Sequence, residues 1–174
     1  MIFDYVIGLQ EVDGKKLKIN NRQAVRAVVL KDDKILMVYT NKGDYKFPGG
    51  GVNEGEIYEE TLKREVREET GYIISSVKDK IGIIIERKLD EYEENSVFQM
   101  DSYYYLCEVS NEKTNQQLDD YELELDFQAV WIKLDKAIEA NEKIITNYYV
   151  NMNPWVYRET KVLKELKEHF NKFI

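Results

Sequence analysis

Residues 49–55 read Gly-Gly-Gly-Val-Asn-Glu-Gly. No helix or strand interior accommodates glycine at that density, so the segment is an irregular loop. It follows a short apolar stretch, residues 45–47, that ends at Pro48. It precedes residues 57–70, where Tyr58, Leu62 and Val66 recur at i, i+4 and i+8, the period of an amphipathic helix. Gly71 then stands where a left-handed C-cap is expected. Strand, glycine loop and helix in that order constrain the chain more than any other feature.

The same helix carries Glu65, Glu68 and Glu69 at i, i+3 and i+4. Those positions are neighbours on a helix surface, and like charges there repel by a few tenths of a kcal/mol per pair. A cation that neutralises them removes the penalty. Oxygen-only ligands favour a hard ion, so Mg²⁺ or Mn²⁺ is expected. The carboxylate face borders the apolar stripe, where partial burial strengthens both the repulsion and the hold on a metal. Arg64 is placed to fix one glutamate by a bidentate contact. Gly50 and Gly51 let backbone groups approach a phosphate or metal where a Cβ would interfere.

This segment resembles the Nudix box: Gly, five residues, Glu, seven residues, Arg-Glu, an aliphatic residue, any residue, Glu-Glu, any residue, Gly and an aliphatic residue. The chain supplies Gly50, Glu56, Arg64, Glu65, Val66, Glu68, Glu69 and Gly71 at those spacings, with Tyr72 in the last, usually aliphatic, position. Seven fixed identities, each at roughly 5–7% usage, would coincide by chance about once in a billion starting positions. The resemblance implies an α/β fold of the α+β type, a mixed β-sheet sandwiched between helices. It implies hydrolysis of the diphosphate bond in a nucleoside diphosphate linked to another group, by water attack on phosphorus with divalent metal assistance. It also implies roles. Glu65, Glu68 and Glu69 are metal-binding carboxylates, Glu65 being alternatively the general base. The Gly49 carbonyl is a backbone metal ligand, Arg64 orients Glu65, and Glu56 supports the loop with an outer-sphere metal role. A further acid is expected on the loop before a late strand, and among Glu122, Glu124 and Asp126 the reading favours Glu124.

Composition removes the main rival chemistries. His169 is the only histidine and sits in a charged helical pattern, which excludes Ser-His-Asp catalysis and most zinc sites. Cys107 is the only cysteine, so no intramolecular disulfide forms and a reducing compartment fits. The net charge of −8 argues against broad binding to a nucleic-acid backbone, but a metal ion can still bridge a small phosphorylated ligand. No stretch reads as a signal peptide or approaches the roughly 20 apolar residues of a membrane span. The expectation is a soluble cytoplasmic protein with no nucleic-acid or membrane partner.

The whole chain reads as a single domain with a core over residues 22–141, an N-terminal hairpin over 1–21 and a terminal amphipathic helix over 154–171. The hairpin signal is Asp13-Gly14 between residues 5–11 and 15–20. Strands are expected over 22–30, 34–39, 45–47, 73–77, 80–87, 97–109 and 127–133. A short helix is expected over 134–141, with Asp135 as N-cap. In the last helix Val156, Val162, Leu163, Leu166 and Phe170 face inward. That stripe suits packing on its own domain, a homodimer interface being the alternative.

The substrate is not named by any signature. Members of the family acting on ADP-ribose tend to have a proline shortly after the box, and none occurs here between Pro48 and Pro154. Phe98, Tyr103, Tyr104, Tyr105, Tyr148, Tyr149 and Trp155 are candidates to stack on a base, ordinary packing being the simpler role. Arg26 and Arg87 are candidate contacts to phosphate or base. A module that binds a nucleotide without cleaving it is the alternative, but the intact Glu65, Glu68 and Glu69 set argues against it.

Overall fold

The computed structural model describes residues 1–13, 16–147 and 151–169. Seven strands, β1 (Phe3–Gly8), β2 (Lys18–Lys31), β3 (Lys34–Tyr39), β4 (Tyr45–Lys46), β5 (Tyr72–Leu89), β6 (Ser96–Lys113) and β7 (Gln128–Ile132), form one mixed sheet. Among the described residues four helices accompany it: α1 (Tyr58–Thr70), α2 (Asp120–Glu124), α3 (Leu134–Thr146) and α4 (Val156–His169). The strand order is β1-β5-β6-β2-β3-β4, with β7 antiparallel to β3.

The sheet is covered on both faces, as expected. In β2 the residues alternate strictly. Val25, Ala27 and Val29 pack with Leu62 and Val66 of α1. Val28 points the other way, into a core shared with Leu134, Ala137 and Ile138 of α3 and Val162, Leu163 and Leu166 of α4. A strand buried on both faces reads as a near-continuous apolar run, which is why residues 24–30 are apolar at every position but Arg26. The apolar stripe of α4 is thus used within the chain: Val156, Val162, Leu163 and Leu166 are fully buried. Phe170 lies outside the described residues.

The N-terminal hairpin is corrected. A turn exists at Asp13, whose carbonyl accepts from the Lys16 and Leu17 N–H groups, while Gly14 and Lys15 lie outside the described residues. But β1 does not pair with β2; it runs parallel to β5, from Phe3 opposite Gly82 to Gly8 opposite Arg87. The reason is the Phe3 ring, which is buried edge-on to Tyr104. It fills the space a side chain at residue 82 would need, since a Cβ there would stand 2.2 Å from it.

Other boundaries also differ. The two strands expected over 73–77 and 80–87 are one strand, β5, because register shifts between Val77 and Gly82 absorb the polar residues 78–80. The helix expected to end at residue 141 runs to Thr146, and its N-cap is Lys133, not Asp135. Asn141 is buried and bonds both the N–H and the C=O of Tyr45, which lets α3 continue through a polar residue. Among the described residues no helix is long and apolar enough to cross a membrane.

Candidate active site

The glycine loop lies along β2 like an irregular extra strand. The Val25 N–H donates to the Gly50 carbonyl (3.0 Å), Ala27 to Pro48 (2.8 Å) and Val52 to Gln23 (3.0 Å). Two glycines are required by contact. Gly49 has φ +138°, and a Cβ there would meet the Val25 carbonyl at 2.1 Å. A Cβ on Gly50 would meet the Glu65 carboxylate at 2.3 Å. The loop thereby brings its backbone down onto the α1 glutamates.

Arg64 organises the outer part of those glutamates. Its Nε and Nη2 donate to the two oxygens of Glu56 (2.7 and 2.8 Å), and its Nη1 to Glu65 (2.6 Å) and Glu68 (3.3 Å). The Arg64 hydrogen bonds hold the Glu56 carboxyl down at about 2. Glu65 is mostly removed from water, and that burial raises its pKa against the pull of Arg64.

Glu69 turns inward instead. It is 1% exposed, and burial raises its pKa. One oxygen accepts from Lys46 of β4 and the other from the Gly49 N–H (2.9 Å). The Gly49 carbonyl, expected to face a metal, accepts a hydrogen bond from Arg26 Nη1. Arg26 is itself buried, and its Nε has no partner among the described residues.

The segment before β7 forms the short helix α2, where the sequence suggested only a loop. Glu124 is exposed, and its backbone carbonyl accepts from Asn41 Nδ2 (2.8 Å). Glu122 is the buried acid of the three. It accepts from the Tyr121 hydroxyl (3.0 Å), and burial together with Glu122, Glu69 and Glu65 raises the Tyr121 pKa. Tyr121 thus lies within electrostatic reach of the box glutamates.

Beside the loop is a cavity of about 530 Å³. Residues 49–51 form one wall; Arg22, Arg26, Lys46, Arg87, Lys88 and Arg158 supply positive charge, with Glu86 the one acid. Phe98, Met100, Tyr121 and Trp155 supply apolar surface. Glu65, Glu68 and Glu69 do not line it, but Glu65 lies against Gly50, and Glu69 bonds Gly49 and Lys46, all of which do. Of the aromatic candidates, Phe98 and Trp155 reach the cavity. Tyr103 packs on Tyr58 (5.0 Å), Tyr105 meets the same ring (6.3 Å), and Tyr104 is buried in the core; Tyr148 and Tyr149 lie outside the described residues.

The donor set fits a hard divalent cation. Glu56, Glu65, Glu68 and Glu69 are bonded directly to two cationic side chains, Arg64 and Lys46, so the cluster keeps excess negative charge, and its donors are all oxygens. These carboxylates are spread around Arg64 and Lys46. Among the described residues, the one trio of acid or histidine ligand atoms within 4.8 Å of one another is Glu165, Glu168 and His169, at the far end of α4. Lys46, Tyr121 and Arg158 were not singled out from the sequence; the only available signal was a lone lysine between Tyr45 and Phe47.

Residues 20–155 match the profile of the NUDIX domain. An ADP-ribose pyrophosphatase of Methanocaldococcus jannaschii is 35% identical over 82 residues, covering 45% of this chain and 48% of that protein. The match thus spans about half the length of that relative. A NUDIX hydrolase from Nitrosomonas europaea superposes with a TM-score of 0.56 at 20% identity, over 82% of this chain and 87% of the other. The E. coli ORF135 protein does so with a TM-score of 0.51 at 16% identity, over 86% and 92%. These two likenesses concern the fold alone. With the profile spanning most of its length and the box residues gathered at one loop and helix, the chain belongs to the NUDIX domain family.

Proposed function

We propose that the protein hydrolyses the diphosphate bond of a nucleoside diphosphate derivative in a reaction that depends on a divalent cation, Mg²⁺ or Mn²⁺. One observation carries this reading: Glu65 and Glu69 of α1 meet, through Gly50, Gly49 and Lys46, a cavity walled by cations and aromatic surface. Cationic walls suit phosphate oxygens, and the excess carboxylate charge suits a metal ion.

Glu65, Glu68 and Glu69 would hold the metal, which supplies neutralisation of phosphate charge and a more acidic bound water. Glu56 acts through Arg64, which keeps Glu65 and Glu68 in place. Glu65 is alternatively the group that takes a proton from the attacking water, as a largely buried carboxylate beside the loop. Arg26 would meet a phosphate oxygen with its unpartnered Nε. Glu122 takes the place of Glu124 as the acid from outside the box, because it is the one beside Tyr121. Water attack on one phosphorus breaks the bridging P–O bond and yields two phosphate monoesters.

ADP-ribose is the first substrate to test, because the relative from Methanocaldococcus jannaschii is named for it. The test is a hydrolysis screen of ADP-ribose, nucleotide sugars, dinucleoside polyphosphates and nucleoside triphosphates with Mg²⁺ or with EDTA. Cleavage of at least one class with Mg²⁺ and none with EDTA is expected. Cleavage that EDTA leaves unchanged would overturn the proposal.

A further inference from the structure

Lys46 stands between two parts of the site that the proposed reaction must fill. Its side chain is 4% exposed and extends from the two-residue strand β4. The ammonium lies 4.7 Å from the Phe127 ring centre and 5.7 Å from that of Trp155. Its one hydrogen bond among the described residues goes to the Glu69 carboxylate, although an ammonium has three donors. On its other side Lys46 lines the cavity, beside Arg26, Trp155 and Arg158.

We propose that Lys46 is a built-in counter-ion that occupies Glu69 when no metal is bound, and that must swing from Glu69 into the cavity when a divalent ion takes that carboxylate. The inference rests on the reading of Glu69 as a metal ligand. A buried carboxylate without a partner is strongly destabilising, so the metal-free protein needs a cation at Glu69. A divalent ion on the same carboxylate repels the ammonium. The flexible lysine stem allows it to leave, and aromatic faces and the cavity lie in its path. There the ammonium meets the place where substrate phosphate is expected. Metal and substrate binding are then coupled through one side chain, and the coupling acts in both directions. Lys46 is in this sense a positioning residue: it sets how readily Glu69 is given to the metal.

The test is Mn²⁺ affinity without substrate, read by electron paramagnetic resonance of the free ion, for the wild type, Lys46→Met and Glu69→Gln. Removing the competing ammonium should tighten Mn²⁺ binding by about fivefold or more, while Glu69→Gln should weaken it. In thermal melts, Mn²⁺ should raise the melting temperature of Lys46→Met more than that of the wild type. If Lys46→Met does not fold without metal, Lys46→Gln is read in the same way. Unchanged or weaker Mn²⁺ binding in the lysine variant, with weakened binding in Glu69→Gln, overturns the counter-ion role and leaves the metal site standing. Unchanged binding in Glu69→Gln overturns both.

Discussion

Arg64 grips both oxygens of Glu56, at 2.7 and 2.8 Å, and so ties the end of the glycine loop to the middle of α1. The same guanidinium holds Glu65 and Glu68. One planar side chain therefore aligns a loop and two candidate ligands at once, which a point charge on a flexible stem does less well.

Arg64→Lys should therefore leave the fold intact and reduce turnover by about a hundredfold, since small displacements of catalytic groups cost that much. Steady-state kinetics beside a circular dichroism spectrum checks this. Full activity in the variant would show that the alignment is not needed.

The Glu56 bond makes stability depend on pH in a defined direction. The carboxyl lies at about 2 in the folded protein, against an ordinary 4.5. A depressed acid stabilises fully above its unfolded value, and that contribution is lost as pH falls toward the folded value. The wild type should therefore lose more unfolding free energy between pH 5 and pH 2 than Glu56→Gln does. Denaturant melts across that window measure it, and parallel curves would contradict the assignment.

Adjacent glycines should fail in different ways. A methyl at Gly50 strikes the Glu65 carboxylate, so Gly50→Ala should cut turnover by about a hundredfold with a folded protein. A methyl at Gly49 strikes the Val25 backbone at positive φ, so Gly49→Ala should lose more than about 1 kcal/mol of stability. Activity and melting measured on both variants separate the two outcomes.

How much of this was legible depends on the range of the contacts. The α1 period and the Gly71 stop are local, and they stand where the sequence puts them. The pairing of β1 with β5 is not local: the turn at Asp13 reverses the chain without saying which strand lies alongside. Spacing put Glu65, Glu68 and Glu69 on one helix surface but could not say that Glu69 points inward to Lys46. No local signal separates the favoured Glu124 from Glu122 in the same acidic run; only the turn of α2 buries Glu122 and exposes Glu124. Tyr103, Tyr104 and Tyr105 are alike in sequence, yet their alternating faces send them to packing roles.

α4 is bound to the sheet by charge as well as by apolar contact. Glu159 is fully buried, accepts from Arg158 Nε (3.0 Å) and Nη2 (2.6 Å), and takes the Phe47 N–H at 3.2 Å. Arg158 also reaches Glu86 of β5. Glu159→Ala should lower the unfolding free energy by about 3–5 kcal/mol, the usual cost of breaking a buried pair on one side. A loss under about 1 kcal/mol in a urea melt would show that the Arg158–Glu159 pair adds little to the hold on α4.

The central claim is that the α1 glutamates carry divalent-cation-dependent cleavage of a diphosphate. The most direct measurement is the turnover of Glu68→Gln and Glu69→Gln, with saturating Mg²⁺, on the best substrate from the hydrolysis screen. The account predicts losses of two orders of magnitude or more in both variants, with melting curves that show a folded protein. Wild-type turnover in both would contradict it.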